Sequence, residues 1–247
     1  MIYIAYRGRL GNRLIQYSLA RILSKKFNEQ IPHTETKSWF KPEHITNHKI
    51  HKKNILVDDN NFLEILQLEN LEPANLVLSG YFQDKLFLLE YRKEILQLFR
   101  FTWEEKEGIF IHYRLGDFLI NNKGSKRLIP AQEYYMYCLD EILKISNEQV
   151  YISSDSPNHD RVTSLSKKYK ANIINFENPM MAMVYGSQFK NKILSLGTFS
   201  WWIGFLGSQN NIYYPDDKEC RYNRNIFNLE GWKSVKRKKY LLQKEQN

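Results

Sequence analysis

Only two cysteines, Cys138 and Cys220, occur among 247 residues, far apart and without a C-x-x-C spacing. That excludes a disulfide framework or a cysteine zinc site as the organising feature, and it favours a reducing cytoplasm in which both thiols are buried and free. No run of ~18 apolar residues occurs, so no membrane-spanning helix is expected. The opening residues read as a short strand entering Arg7-Gly8-Arg9 rather than as a charged leader with an apolar segment, so no signal peptide is expected. Also missing are a G-x-x-x-x-G-K-[ST] phosphate loop, a G-x-S-x-G nucleophile elbow and ligands at zinc spacing. The acidic pairs Asp58-Asp59 and Asp216-Asp217 lie in polar, turn-like stretches and read as solvated carboxylates, so neither a metal nor a bound cofactor is expected. No internal repeat or low-complexity tract is visible beyond the Lys/Arg-rich stretch 233–239.

Positive charge, by contrast, is abundant. Thirty-six Lys and Arg against 27 Asp and Glu give a formal charge of +9 and a pI near 9.3, which calls for an anionic partner: nucleic acid, an acidic membrane surface or a phosphorylated small molecule. A basic nucleic-acid-binding protein is the rival from another class, supported by the charge, the basic tail and 35 aromatic residues. It lacks a recognition motif, its basic residues are dispersed outside the tail, and most aromatics lie within apolar strands and helices, so no nucleic acid is expected. The tail instead suits peripheral contact with an anionic membrane.

At 43% apolar residues the chain has material for a core throughout. Its length fits one large α/β unit or two small lobes, and two lobes are the preferred reading. Residues 2–6 form a strand, Gly8 and Gly11 a loop, and Leu14, Ile15, Ser18, Leu19, Ile22 and Leu23 one face of a helix. Residues 34–53 read as loop, 61–71 as a short helix, 76–78 as an apolar run and 85–99 as a helix packed on a sheet. From 109 onward strands (109–112, 149–153, 172–176, 192–196, 212–214) alternate with helices (131–145, 156–169, 180–190, 201–206). That alternation implies a mostly parallel, doubly wound sheet. The expected organisation is an N-terminal α/β lobe over 1–104, a C-terminal Rossmann-like lobe over 105–232 and a basic tail over 233–247.

In such sheets the ligand lies beyond the carboxyl ends of the strands, and those ends are polar here. His112, Arg114, Gly116 and Asp117 follow the strand 109–112. Ser153, Ser154 and Asp155 follow the next, and Gly197, Thr198 and Ser200 follow the strand 192–196. An arginine fork at Arg114 matches a diphosphate and neutralises charge on a leaving phosphate without a metal; the other reading is a structural pair with Asp117. His112 reads either as a sugar or phosphate contact or as a hydrogen-bonded structural group. Asp117 reads as a support for Arg114 or its loop, ahead of a general base. Asp155 suits either a base or ribose contact or, before Ser-Pro, a helix N-cap, and the two roles are compatible. Gly197, Thr198, Phe199 and Ser200 open a helix whose N–H groups and hydroxyls make a diphosphate cradle, while Trp201-Trp202 reads as core. Residues 8–12, with Gly11 and Asn12, have the same anion-cradling form at another helix start.

Four blocks together resemble the α-1,2-fucosyltransferases of glycosyltransferase family 11. Residues 8–17, reading GRLGNRLIQY, are similar to the family's GGLGNQMFQY; Gly80-Tyr81-Phe82-Gln83 to its GYFQ; residues 112–117, HYRLGD, to its HxRRGD; and residues 198–202, TFSWW, to its SFSWW. Tyr134-Tyr135 and Ser154-Asp155 add matches to its YY helix and SDD strand end, and the resemblance spans about residues 1–210. It implies a GT-B-like α/β fold of two Rossmann-like lobes facing across a cleft, GDP-fucose as donor, a glycan or glycolipid acceptor, no metal, and inversion at the anomeric carbon. It also implies that Arg114 holds the donor's β-phosphate, with Gly11, Asn12, His112, Ser154, Asp155, Thr198, Phe199 and Ser200 around the donor and Asp117 beside Arg114. Three departures stand out. Leu115 replaces the second arginine, Leu196-Gly197 replaces Asn-Ser, and Arg13 replaces the glutamine of GNQ, so a different nucleotide sugar is the alternative donor.

Overall fold

The computed structural model of the chain describes residues 1–32, 39–42, 49–116, 119, 129–207, 209–216 and 224–236, the side chains of 224 and 225 excepted. The chain divides into two compact units, Met1–Thr102 and Trp103–Asn247.

The first unit runs β1 (Ile2–Ile4), α1 (Leu10–Phe27), β2 (Asn54–Val57), α2 (Phe62–Gln67), β3 (Asn75–Leu78), α3 (Lys85–Glu90) and α4 (Arg92–Leu98). Its strands pair in parallel in the order β1-β3-β2. Helix α1 is buried almost without interruption from Leu14 to Ser24. It stops at Asn28, whose left-handed conformation (φ 53°) turns its N–H back onto Ser24 O. Tyr17, Phe40 and Phe99 pack in series beside it, with successive ring centroids 4.6 Å apart. Two expectations shift here. Strand β2 was not foreseen, and the helix expected over 85–99 is two helices, because Tyr91 (φ −95°, ψ 15°) leaves the helical region.

The second unit runs β4 (Lys106–Tyr113), α5 (Gln132–Leu143), β5 (Val150–Ser154), α6 (Asp160–Tyr169), β6 (Asn172–Ile174), α7 (Pro179–Ser187), β7 (Phe189–Ile193), α8 (Thr198–Leu206), β8 (Asn211–Asp216), α9 (Arg224–Phe227) and β9 (Trp232–Lys236). All six strands pair in parallel, in the order β6-β5-β4-β7-β8-β9. The chain enters at the middle of the sheet, winds outward through β5 and β6, then returns to wind the other way through β7, β8 and β9. The direction reverses between β4 and β7, where sheets of this kind hold their ligands. Central strands covered on both faces need apolar side chains on both sides, and β4 supplies them. Ile109 and Ile111 lie in the core with Tyr134, Leu139 and Ile193, while Phe110 stacks on Phe189 at 5.4 Å.

Residues 233–236, expected within a basic tail, form most of β9, and 237–247 lie outside the described residues. Cys138 is buried, and its burial pushes the thiol pKa well up; Cys220 lies outside the described residues. Among the described residues no helix is long and apolar enough to cross a membrane. Each unit thus holds one parallel sheet with helices, and the chain has the expected α/β class with two such sheets.

Candidate active site

Strand β4 delivers Arg114 to the point where the winding reverses, and the chain after β7 meets it there. Gly197 (φ +100°) is the N-cap of α8, and a β-carbon on it would overlap Nη1 of Arg114. Glycine at 197 therefore does two things: it permits the left-handed backbone, and it lets the guanidinium lie against the main chain. This accounts for Gly197 in the Leu196-Gly197 departure. The first turn of α8 begins beside the guanidinium. Its first helical bond runs from Trp201 N–H to Gly197 O, so the N–H groups of residues 198–200 precede the helical ladder, the geometry that favours an anion.

His112 is 6% exposed and packs on the Phe199 ring, centroids 5.0 Å apart. Burial first, and the Arg114 cation second, lower its pKa to about 3. Both causes disfavour the imidazolium form, so the surroundings of His112 do not suit a second cation beside Arg114. Its buried Nδ1 has no hydrogen-bond partner among the described residues.

The loops bearing these groups are braced from below. The Asp155 Oδ1 accepts from Leu115 N–H (2.8 Å) and Gly116 N–H (3.0 Å), tying the end of β5 to the turn after β4. Asp155 is not the helix cap. That place belongs to His159, whose ring accepts from Arg161 N–H at the start of α6. Ser154 Oγ accepts from Ser156 N–H (3.1 Å) in the same turn. On the β7 side, Tyr134 O–H donates to Leu194 O (2.8 Å), and Ser200 Oγ accepts from Ser195 N–H (2.8 Å). Ser200 is fully buried, so its hydroxyl serves the loop and not a phosphate, contrary to the cradle role expected for it. Thr198 is buried and Phe199 partly exposed at the same helix start. Tyr135 stacks on Tyr113 at 4.0 Å, and burial raises both phenol pKa values above their ordinary range. Leu115, in the place of the second arginine, is fully buried in the core. Trp201 and Trp202 are core as expected, with Trp201 Nε1–H donating to Ile226 O (2.8 Å). Asp117 lies outside the described residues.

The remaining motif residues gather separately in the first unit. Gln83 Nε2–H donates to Asn12 Oδ1 (2.7 Å), joining the loop after β3 to the first turn of α1, where Gly11 is buried. Gln16, wholly buried, grips the Arg7 main chain in both directions: its Oε1 accepts from Arg7 N–H (3.1 Å) and its Nε2–H donates to Arg7 O (3.0 Å). The residue that sequence reasoning missed is Asp59. Read as a solvated carboxylate, it instead accepts from Tyr81 N–H (3.0 Å) and Phe82 N–H (2.5 Å), holding Phe82 in a left-handed conformation (φ 53°). Asp58 does form the expected turn, accepting from Asn60 N–H at 2.8 Å. An acidic pair alone gave no sign that one member reached a strand end 22 residues later. Among the described residues no three His, Cys, Asp or Glu side chains are grouped so as to hold a metal.

Comparison with known proteins bears directly on this arrangement. Over 205 residues, 73% of this chain and 68% of the relative, the sequence is 26% identical to the O-antigen biosynthesis glycosyltransferase WbnK of Escherichia coli. Residues 1–234 match glycosyl transferase family 11, a span covering both units and both clusters of motif residues, and the chain belongs to that family.

Proposed function

We propose that the protein transfers L-fucose from GDP-fucose to a hydroxyl of a glycan acceptor, with inversion at the anomeric carbon and without a metal ion. The observation that carries this reading is Arg114 lying against Gly197, beside the first turn of α8, where the winding of the six-stranded sheet reverses. As the acceptor oxygen bonds to the anomeric carbon, the bond from that carbon to the β-phosphate oxygen breaks. The electron pair leaves with GDP, and the acceptor proton passes to water. Negative charge grows on the departing phosphate, so a fixed guanidinium and helix N–H groups stabilise the transition state more than the ground state. The unpartnered Nδ1 of His112 supports a hydrogen bond to the bound donor. The similarity to WbnK, an O-antigen biosynthesis glycosyltransferase, supports a polysaccharide acceptor.

Thermal unfolding in the presence of GDP, UDP or dTDP tests the donor, since a ligand bound only to the native state raises stability by about 2.7 kcal/mol at a hundred times its Kd. GDP is expected to give the largest rise, and transfer from GDP-fucose is expected to persist in EDTA. A larger rise with UDP or dTDP would point to another nucleotide sugar, the alternative that buried Leu115 keeps in view. Loss of transfer in EDTA would end the metal-free mechanism.

A further inference from the structure

Three hydroxyls are buried together behind the candidate active site. Tyr113, Tyr135 and Ser195 are wholly shielded from solvent, and the side-chain oxygen of each has no hydrogen-bond partner among the described residues. They share one face of the six-stranded sheet. Ile111 of β4 pairs with Ile193 of β7, and Tyr113 and Ser195 each follow two residues later, the spacing that keeps a side chain on the same face of an extended chain. Ile111, Ile193 and Tyr113 lie in one core with Tyr135 of α5. Tyr135 stacks on the Tyr113 ring at 4.0 Å, and the adjacent Tyr134 donates to Leu194 O, next to Ser195. Burial raises the Tyr135 pKa and the Tyr113 phenol adds to the rise, whereas Ser195 is near enough to oppose it. Even so, no hydrogen bond of normal geometry joins the Tyr135 and Ser195 hydroxyls.

Buried polar groups in folded proteins find a partner in the protein or in ordered water, and one left bare loses its hydration without return. Phenylalanine and alanine would fill nearly the same volume without that loss, so three hydroxyls kept in an apolar core call for a shared partner. A water with roughly two to four polar neighbours meets the need. The cluster also adjoins the segments that hold Arg114. Tyr113 immediately precedes Arg114, and Ser195 lies two residues before Gly197, against which the guanidinium rests. The Ser195 N–H donates to Ser200 Oγ in the first turn of α8 (2.8 Å).

We propose that Tyr135 and Ser195, with Tyr113, enclose a buried water that ties α5 to the ends of β4 and β7, and that Tyr135 and Ser195 are thereby positioning residues for Arg114. The water fixes the turn that carries Gly197, and the turn fixes the guanidinium. The task of Arg114 rests on the glycosyltransferase reading above; the water itself does not.

The test uses the full-length protein with Tyr135→Phe and Ser195→Ala, singly and together. Deleting a bare buried hydroxyl leaves the Tm unchanged or raises it, whereas deleting one that holds a water lowers it. Each single variant is expected to lower the Tm by about 1–5 °C, and the double variant by less than the sum, because one water is lost only once. A Tm at or above that of the wild type in either single variant, or fully additive losses, would overturn the site. A crystal structure is expected to show solvent density within hydrogen-bond distance of Tyr135 Oη and Ser195 Oγ; a direct bond between the two hydroxyls would overturn the water. Positioning is read from GDP affinity. Tyr135→Phe is expected to raise the Kd for GDP about two- to tenfold, the worth of one hydrogen bond, and to change nothing when Arg114 is already alanine. An equal rise in both backgrounds would overturn the positioning role. A wild type that binds no GDP would remove the donor reading and the role of Arg114 with it, while the water stands or falls on the Tm and the density.

Discussion

Gly197 and Arg114 share one small volume, so a change at either reaches the other. Gly197→Ala puts a β-carbon where Nη1 of Arg114 lies and asks an alanine to hold φ +100°, a backbone strain of about 1–3 kcal/mol. Displacing the guanidinium is expected to weaken GDP binding by about tenfold or more, the worth of one strong charged contact, although the arginine is retained; calorimetric titration of the purified variant checks this. His112 makes a second residue-scale claim. Its pKa is lowered from the ordinary 6.5 to about 3. The unfolded chain therefore binds a proton that the native state refuses between those values. Stability from this group is complete above about pH 6.5 and declines as the pH falls toward about 3, by at most about 1.4 kcal/mol per pH unit. Thermal unfolding at pH 7.5 and 5.0 should show a smaller drop for His112→Asn than for the wild type. An equal drop would mean that the imidazole is not buried in its neutral form.

At the scale of elements, the two units use one device. In each, a carboxylate beyond one strand holds main-chain N–H groups beyond its parallel neighbour: Asp59, after β2, holds Tyr81 and Phe82 after β3, and Asp155, after β5, holds Leu115 and Gly116 after β4. Asp155→Ala is expected to cost about 1.5 kcal/mol, the low end of the worth of hydrogen bonds to a charged acceptor because the carboxylate is exposed. It should also lower kcat through the loosened Arg114 loop, with Asp155→Asn milder because it keeps an acceptor oxygen. Asp59→Ala should cost at least as much stability, since it also releases the left-handed Phe82. Denaturant unfolding of the three variants measures these differences. The clamps explain which elements were legible in the sequence. Apolar runs such as 109–111 and the periodic face of α1 announced themselves, because burial of both faces or of one stripe dictates residue type. Strand β2, exposed at Asn54 and Leu56, and β9, whose Lys233 and Lys236 resemble a tail, carry edge patterns that periodicity does not distinguish from loop. The sequence marks Ser200 and Asp155 as site candidates, but the hydrogen bonds they make depend on partners 5 and 40 residues away, which no local pattern displays.

Across the whole molecule, motif blocks scattered from residue 8 to residue 202 gather into one cluster in each unit, both at the carboxyl ends of parallel strands. The six-stranded order β6-β5-β4-β7-β8-β9 puts the second cluster where such sheets hold their ligands, and Arg114 lies there against Gly197, which is what the proposed role of Arg114 toward a departing phosphate rests on. The most direct measurement is therefore the rate of GDP release from GDP-fucose, with acceptor and EDTA present, for the wild type and for Arg114→Ala of matched stability. The expected result is a loss in kcat of about 10²–10³-fold, the usual effect of removing one preorganised electrostatic donor. Turnover within a few fold of the wild type would contradict the account.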